Sequence, residues 1–377
     1  MGIPQSAVGR GPSLRSESEL APTTKWNYFA DLENSPRLKQ SALSGGLAAV
    51  ASTYGSGALQ LTAAIVLARM LTPVDFGLVA IVALLTSCAP QLIDFGVGDA
   101  TTQNITITPS QVSTLFWLNT GIGLAVAIVV ALCSPVIALV YQEPQLESIA
   151  LGFSITFSLI GLSLQHLALL RRTMQFVVIA KIQVLSALAG LGTAVSLAYL
   201  GFGYWALVFR PLASASCMLA GAWLACSWRP SLAFSGDEVK SMVRFGLHVM
   251  CYSIVASISR AADRITLGLV HRPQEVGAYH NALVLYENSI FVALAQIHGV
   301  ASTALGRFQS EPAALRQRYG SALATLAFFV MPASVIISLI GQDAVVTLLG
   351  EKWRESGLLL SIVALRGIAQ VVQSSQG

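Results

Sequence analysis

The chain has 377 residues, of which 54% are hydrophobic and only 11% are charged, whereas soluble proteins carry about a quarter charged residues. Its mean hydropathy of +0.68 is too high for a chain that must cover its surface with polar side chains in water. The formal net charge of +4 is small and does not indicate nucleic-acid binding. The composition therefore excludes a soluble globule and predicts an integral membrane protein.

The five cysteines lie inside apolar runs, without C-x-x-C spacing and without a neighbouring cluster of His or Asp. Metal sites and disulfide frameworks require such spacings. We therefore expect the cysteines to fill helix contacts, and we expect neither a metal nor another cofactor.

Residues 1–40 are polar and rich in Ser, Pro, Arg and Glu, and they contain no apolar core of a signal peptide. This composition predicts a disordered tail.

After the tail, the chain is a succession of ten apolar stretches separated by short, turn-like segments. A helix needs about 20 apolar residues to cross the membrane. The pattern predicts an all-α integral membrane protein with about ten transmembrane helices, paired as antiparallel hairpins. The predicted spans are Ala42–Met70, Pro73–Leu92, Val112–Val140, Leu146–Leu170, Phe176–Leu200, Tyr204–Cys226, Ser241–Leu269, Val276–Leu305, Tyr319–Ile340 and Gly357–Val372.

The basic residues between the spans indicate the orientation. With the amino terminus in the cytoplasm, fourteen Lys and Arg residues lie on the cytoplasmic side, and only Arg69, Arg272, Lys352 and Arg354 lie outside. Cytoplasmic loops carry an excess of Lys and Arg, so we expect a cytoplasmic amino terminus.

A shift of the chain by 200 residues superimposes two of its hairpins. It places Gly46–Leu47 on Gly246–Leu247, Ile65 on Ile265, Leu67 on Leu267, Pro73 on Pro273 and Gly77 on Gly277. Six spans separate the copies, so both copies have the same orientation, as in transporters built from two parallel bundles. We expect a cytoplasmic tail (1–40), an amino-terminal six-helix bundle (41–228) and a carboxy-terminal bundle (229–377). The second bundle would then have four of its six or more expected helices. Either the sequence is a fragment of a longer chain, or the second bundle is shorter by design, and the sequence leaves both alternatives open.

Ionisable side chains inside spans are costly and therefore mark candidate sites. Arg260, Asp263 and Arg264 lie at i, i+3 and i+4 of the seventh span, on one helix face, with His248 three turns earlier. This face has one net positive charge and suits an anionic group such as a diphosphate. The alternatives are that Asp263 only neutralises the arginines, or that Arg264 reaches the outer interface.

Arg210 in the sixth span and Glu287 in the eighth have no partner nearby in the sequence. They are candidates for facing each other, or the seventh span, across a cavity; a structural ion pair between the bundles is the alternative. His166 and His280 are predicted to be structural helix histidines rather than proton relays. Trp117 and Trp353 are predicted to mark the membrane interfaces.

Several stretches together resemble a known family. They are residues 65–80 (IVLARMLTPVDFGLVA), Asp94–Gly98 (DFGVG), Ser259–Gly268 (SRAADRITLG), Glu275–Tyr279 (EVGAY) and Leu349–Trp353 (LGEKW). They are similar to the bacterial polysaccharide and O-antigen lipid-linked oligosaccharide flippases of the multidrug/oligosaccharidyl-lipid/polysaccharide exporter superfamily. The similarity runs from about residue 40 to the end of the chain.

The resemblance implies two helical lobes around a cavity that opens alternately to each side of the bacterial cytoplasmic membrane. The expected cargo is an undecaprenyl-diphosphate-linked oligosaccharide for O-antigen, capsule or exopolysaccharide export. The energy for transport would have to come from an ion gradient (H⁺ or Na⁺), the membrane potential or removal of the product. A polysaccharide polymerase and co-polymerase are further candidate partners, together with membrane lipids. The resemblance places Arg260, Asp263 and Arg264 in the cavity and implies a transporter rather than an enzyme.

Two alternatives remain. A cation-coupled multidrug exporter of the same superfamily would favour acidic cavity residues. A membrane glycan polymerase or ligase would need catalytic residues in a large outer loop or a soluble domain.

Overall fold

The computed structural model describes residues 55, 57–95, 98, 101–102, 107–232, 247, 250–257, 259, 262, 266–288 and 312–373. Within these ranges the regular structure is helical and contains no β-strand. The tail over residues 1–40 lies outside them.

In chain order the helices are α1 (Gly57–Met70), α2 (Pro73–Leu85), α3 (Ala89–Asp94), α4 (Pro109–Tyr141), α5 (Gln145–Arg172), α6 (Phe176–Tyr199), α7 (Trp205–Ala225), α8 (Pro273–Tyr286), α9 (Pro312–Leu349), α10 (Arg354–Ala364) and α11 (Arg366–Gln373).

Six helical stretches of the described chain are long and apolar enough to cross a membrane. They are Pro73–Asp94, which combines α2 and α3, the four helices α4 to α7, and Ala327–Leu349 within α9. Helices α4 to α7 begin and end within three residues of the predicted spans. The first, seventh and eighth predicted spans lie partly outside the described residues.

The last two predicted spans differ from the structure. Helix α9 continues to Leu349 instead of ending near Ile340, and it buries Val345 and Leu349 in the core. The stretch predicted as the tenth span is divided into α10 and α11. At the division, Leu365 donates its backbone N–H to the carbonyl of Ile362, three residues back, at 3.2 Å. This tighter turn interrupts the α-helical hydrogen bonding.

Short polar signals set where the helices begin. Thr72 caps α2 through its side chain, and the Asp75 carboxylate accepts the backbone N–H of Thr72, with Pro73 at the first turn. Thr108 and Gln111 form the same reciprocal cap at the start of α4. Both arrangements satisfy backbone N–H groups that have no partner inside the helix.

Glycines allow the helices of the first half to pack backbone to backbone. A Cβ atom added at Gly161 of α5 would lie 2.8 Å from the carbonyl oxygen of Asn119 in α4, and one at Gly123 would lie 3.0 Å from that of Phe157. Small residues at helix contacts are typical of membrane proteins. The opposite side of α4 exposes large apolar side chains, among them Leu132 and Leu139, which suits contact with lipid.

The segment after α7 folds back onto α4. Trp117 donates its indole N–H to the carbonyl of Ser231 at 3.0 Å, and Ser231 donates its backbone N–H to the hydroxyl of Ser113 at 3.2 Å. Residues 233–246 lie outside the described part of the chain. The boundary between the bundles at residues 228 and 229 therefore stays a prediction.

The two halves of the chain meet through α2 and α8, the second helices of the two repeated hairpins. A Cβ atom at Gly77 would lie 1.6 Å from the carbonyl oxygen of Pro273, and one at Gly277 would lie 2.0 Å from that of Pro73. The contact is reciprocal: each glycine receives the backbone of the proline in the other half. Such a contact is what a two-fold relation between the repeats produces, and it explains why both copies have Pro and Gly at these positions.

We expect Gly77→Ala to destabilise the protein by about 1–3 kcal/mol or more, because backbone atoms at the contact must move to accept the methyl group. Gly121→Ala in α4 is the matched control, since an added Cβ there has nothing within 4 Å. It should be neutral or stabilising by up to about 1 kcal/mol through helix propensity. Thermal unfolding of the purified variants in detergent measures both effects. Equal midpoints for the two variants would contradict the reciprocal contact.

Candidate functional site

A cavity of about 390 Å³ lies between α1, α2, α6 and α7, and α8 of the second half contributes one residue to its wall. Most of the lining is apolar, as at Ala63, Val79 and Leu207. The polar side chains of the lining are Gln60, Arg210, Ser214 and His280. The cavity thus has the common character of a ligand site, an apolar wall with a few polar groups.

Arg210 is the one charged side chain among the described lining residues. It is half-buried in α7 and forms no hydrogen bond or ion pair with any described residue. An unpaired guanidinium in an apolar wall costs free energy. Its five N–H donors can be satisfied by carboxylate or phosphate oxygens. The described part of the cavity therefore favours an anionic ligand.

The close approach of α6 and α7 fixes the position of Arg210. A Cβ atom at Gly190 of α6 would lie 2.9 Å from the backbone oxygen of Arg210 and 3.2 Å from the Cβ of Ser214. Arg210 directly precedes Pro211, which cannot donate a backbone hydrogen bond inside the helix. Gly190 therefore allows α6 to lie close against the part of α7 that carries Arg210.

Glu287 and Arg210 do not meet. Glu287 is exposed directly after α8, is absent from the cavity lining, and forms no ion pair with Arg210. His280 of the same helix does reach the cavity. Since 280 and 287 are seven residues apart, they lie on a similar helix face about 10 Å from each other.

The remaining four predicted site residues, His248, Arg260, Asp263 and Arg264, lie outside the described residues. Their place in the cavity stays a prediction. Of the six predicted site residues, the structure thus places Arg210 in the cavity and Glu287 outside its lining.

Sequence reasoning did not assign Gln60, Ser214 and His280 to a site. Two signals were available. Ser214 is four residues after Arg210 and so lies on the same helix face. The 200-residue shift pairs His280 with Ala80, which also lines the cavity.

His166 belongs to an aromatic group that does not line the cavity. The ring is fully buried and stacks on Trp223 with the centroids 4.5 Å apart, next to Phe116 and Trp228. Trp223 donates its indole N–H to the carbonyl of Leu162 at 3.1 Å. These contacts give His166 a packing role inside the first bundle.

We expect Gly190→Ala to separate α6 from α7 and to displace Arg210, because the new methyl group would lie 2.9 Å from a backbone oxygen. The expected cost is about 1–3 kcal/mol of stability. Gly192→Ala, two residues along the same helix, adds a methyl group with nothing within 4 Å and serves as the control. Thermal unfolding of both variants measures the two effects. A lower unfolding midpoint for Gly192→Ala with an unchanged midpoint for Gly190→Ala would contradict the prediction.

The family described as "Polysaccharide biosynthesis protein" matches residues 66–357. Three curated proteins illustrate the similarity. The lipopolysaccharide biosynthesis protein WzxC of Escherichia coli K12 is 25% identical over 349 residues, which cover 90% of this chain and 70% of that protein. The teichuronic acid biosynthesis protein TuaB of Bacillus subtilis is 24% identical over 344 residues, 91% and 71% of the two chains. The succinoglycan biosynthesis transport protein ExoT of Rhizobium meliloti is 26% identical over 321 residues, 84% and 64% of the two chains.

Among solved structures, the eukaryotic MATE transporter AtDTX14 superimposes with a TM-score of 0.51 and 14% identity, covering 90% of this chain and 82% of that one. At this identity the likeness concerns the fold alone. Together with the six long apolar helices, it confirms the predicted fold class, an all-α multi-pass membrane protein with two related helical bundles.

Proposed function

The chain belongs to the family of polysaccharide biosynthesis proteins, and we propose that it is a flippase for a lipid-linked oligosaccharide. The cargo of this flippase is an undecaprenyl-diphosphate-linked oligosaccharide destined for O-antigen, capsule or exopolysaccharide. The protein carries it from the cytoplasmic to the periplasmic leaflet of the bacterial cytoplasmic membrane. Its amino terminus is cytoplasmic, in accordance with the distribution of Lys and Arg.

The family match over residues 66–357 is the observation that carries this proposal. The names of the relatives support it, because they refer to lipopolysaccharide and succinoglycan biosynthesis and, for ExoT, to transport. The arginine in an otherwise apolar cavity is the second support.

The physical task requires a cationic site. A diphosphate that crosses about 30 Å of hydrocarbon must lose its hydration, which costs many kcal/mol unless charged partners replace the water. Guanidinium groups bind phosphate oxygens in a bidentate manner. Arg210 takes this part on the described wall of the cavity, and Arg260 and Arg264, oriented by Asp263, take it on the seventh span. His248 and Glu287 are further candidates along the path of the cargo.

The charge of the cavity argues against an exporter of organic cations, since such a ligand would require acidic side chains. Among the described lining residues the one charge is positive. Alternating exposure of the cavity between the two bundles would move the head group, while the lipid tail stays in the hydrocarbon. Energy comes from an H⁺ or Na⁺ gradient, the membrane potential or removal of the product, and a polymerase and co-polymerase receive the product.

Arg210→Ala should lower surface glycan about 10- to 100-fold, because a hydrogen bond to a charged group contributes about 1.5–3 kcal/mol. The measurement is complementation of a bacterium that lacks its own polysaccharide flippase, with surface glycan and the cytoplasmic lipid-linked intermediate quantified together. Arg210→Lys keeps the positive charge but lacks the planar guanidinium. Its surface glycan should lie between that of the unmodified chain and that of Arg210→Ala.

Arg171→Ala is the control for charge, since Arg171 is exposed at the end of α5 and does not line the cavity. It should complement like the unmodified chain. Full complementation by Arg210→Ala, at equal membrane insertion, would remove Arg210 from the cargo site. Complementation without a fall in the lipid-linked intermediate would contradict the flippase itself.

On the seventh span, Arg260→Ala and Asp263→Ala should each abolish surface glycan while leaving membrane insertion intact. Arg264→Lys separates the two roles open for that residue. A strong loss of glycan indicates bidentate binding of the head group, and a mild loss indicates that Arg264 reaches the interface. Unchanged glycan in both alanine variants would exclude this helix face from the site.

A further inference from the structure

A second group of contacts joins the two halves of the chain at the end of the molecule where α1 and α9 both end. The last carbonyls of a helix have no partner inside the helix and carry partial negative charge. Here each helix end is covered by a cation from the other half. Arg69, Lys352 and Trp353 make these contacts, and we call the three residues the interbundle lock.

Arg69 covers the end of α9. Its Nε donates to the carbonyl of Leu348 at 2.6 Å, and its Nη2 donates to the carbonyl of Thr347 at 2.7 Å. The guanidinium therefore binds two successive carbonyls with two of its N–H groups, in the manner of a fork.

Lys352 and Trp353 cover the end of α1 in return. The Nζ of Lys352 donates to the carbonyls of Arg69 and Leu71 at 3.0 and 2.6 Å. The indole of Trp353 donates to the carbonyl of Ala68 at 2.8 Å. The residues joined are about 280 positions apart in the chain, so these bonds connect the bundles and not neighbouring turns.

The geometry of the lock allows it to open. Both cations are exposed, so water can replace either partner when the helix ends separate. In the described chain their hydrogen-bond acceptors are carbonyls and not carboxylates. Partial burial lowers the pKa of Lys352 below its ordinary value, while the nearby carboxylate of Asp75 acts in the opposite direction.

Phe76 links the lock to the cavity. The ring of Trp353, which is 1% exposed, packs edge-on against Phe76 with the centroids 5.2 Å apart. Phe76 also lines the cavity that contains Arg210. A ligand that displaces Phe76 would therefore disturb the packing of Trp353. It would also disturb the hydrogen bond from the Trp353 indole to the carbonyl of Ala68 at the end of α1.

We propose that the interbundle lock is the gate that closes the cavity at this end of the molecule, the predicted outer end, and that occupation of the cavity opens it through Phe76 and Trp353. The proposal rests on the proposed function, because transport by alternating exposure requires a gate on each side. In the open state Arg69 and Lys352 bind water instead of the opposite helix.

The test is the accessibility of the cavity from outside. A variant with its five native cysteines replaced receives Ser214→Cys in the cavity wall, and intact cells are treated with a membrane-impermeant maleimide. Adding Arg69→Ala and Lys352→Ala together should raise the labelling rate about tenfold, because loss of the lock shifts the population towards the open state. An unchanged rate would overturn the gate.

Arg354→Ala is the matched control. Arg354 directly follows Trp353 in the sequence and is exposed. Its guanidinium pairs with the carboxylate of Glu351, which belongs to the same half of the chain. It should leave the labelling rate unchanged. Should the double variant fail to insert, Trp353→Phe replaces it: this change keeps a ring against Phe76, removes the bond to Ala68, and should still raise labelling. No rise with Trp353→Phe would also count against the gate.

The coupling has a test of its own. Undecaprenyl diphosphate, added to oriented membranes with the lock intact, should increase outer labelling of Leu71→Cys, and Phe76→Leu should remove the increase. Leu71 is 3% exposed, lies under Lys352 and is absent from the cavity lining, so bound ligand does not shield it. An equal increase in both variants, or none in either, would overturn the coupling. Labelling does not depend on glycan synthesis, so the two proposals can fail separately. If the labelling changes as expected but the chain restores no surface glycan, the proposed function is contradicted and the proposal that the interbundle lock is a gate still holds.

Discussion

Every helix end in this protein leaves backbone groups that need partners, and at one end of the molecule the two halves supply these partners to each other. The helix starts at Pro73 and Pro273 lie against Gly277 and Gly77. The helix ends of α1 and α9 are covered by Lys352 and Arg69 from the opposite half. In the described part of the chain, these four helix termini therefore bring the two halves together through close backbone packing and through hydrogen bonds to the last carbonyls of α1 and α9.

The cavity lies next to this contact and shares its helices. α1 and α2 belong both to the interface between the halves and to the cavity wall, and α8 crosses from the second half to add His280. A relative movement of the bundles would therefore change the cavity at the same time. The one cation of the described wall, Arg210, stands on α7, held by the close packing of α6 at Gly190. Within the described residues, helices of the first half position this charge, while the proposed gate lies between the halves.

Much of the fold could be predicted because lipid imposes simple rules on a chain. Apolar length predicted the bounds of α4 to α7 within three residues. Thr–Pro pairs followed by Asp or Gln mark the starts of α2 and α4, and the second pair lies three residues before the predicted start of its span at Val112. The prediction was less accurate where packing overrides local composition. Gly341, Gln342 and Asp343 suggest an end of the ninth span, yet α9 continues to Leu349. Its residues Val345 and Leu349 belong to a buried core cluster that also contains Leu67 and Leu71 of the first half. At the division between α10 and α11 the local signals are Arg366 and Gly367, and apolar length by itself does not detect them.

For the site, the sequence by itself determined that Arg210 is an intramembrane cation and that the Pro and Gly at 73 and 77 recur at 273 and 277. Charge inside an apolar run and repetition are both visible without coordinates. Only the tertiary structure decided that Arg210 faces a cavity, that Glu287 is not its partner, and that the repeated glycines touch each other's prolines. It also decided that Lys352 and Arg69, which read as ordinary outer-loop charges, cover each other's helix ends. The physical reason is that these relations join residues roughly 70 to 280 positions apart, and such distances are closed by helix packing and not by any local pattern.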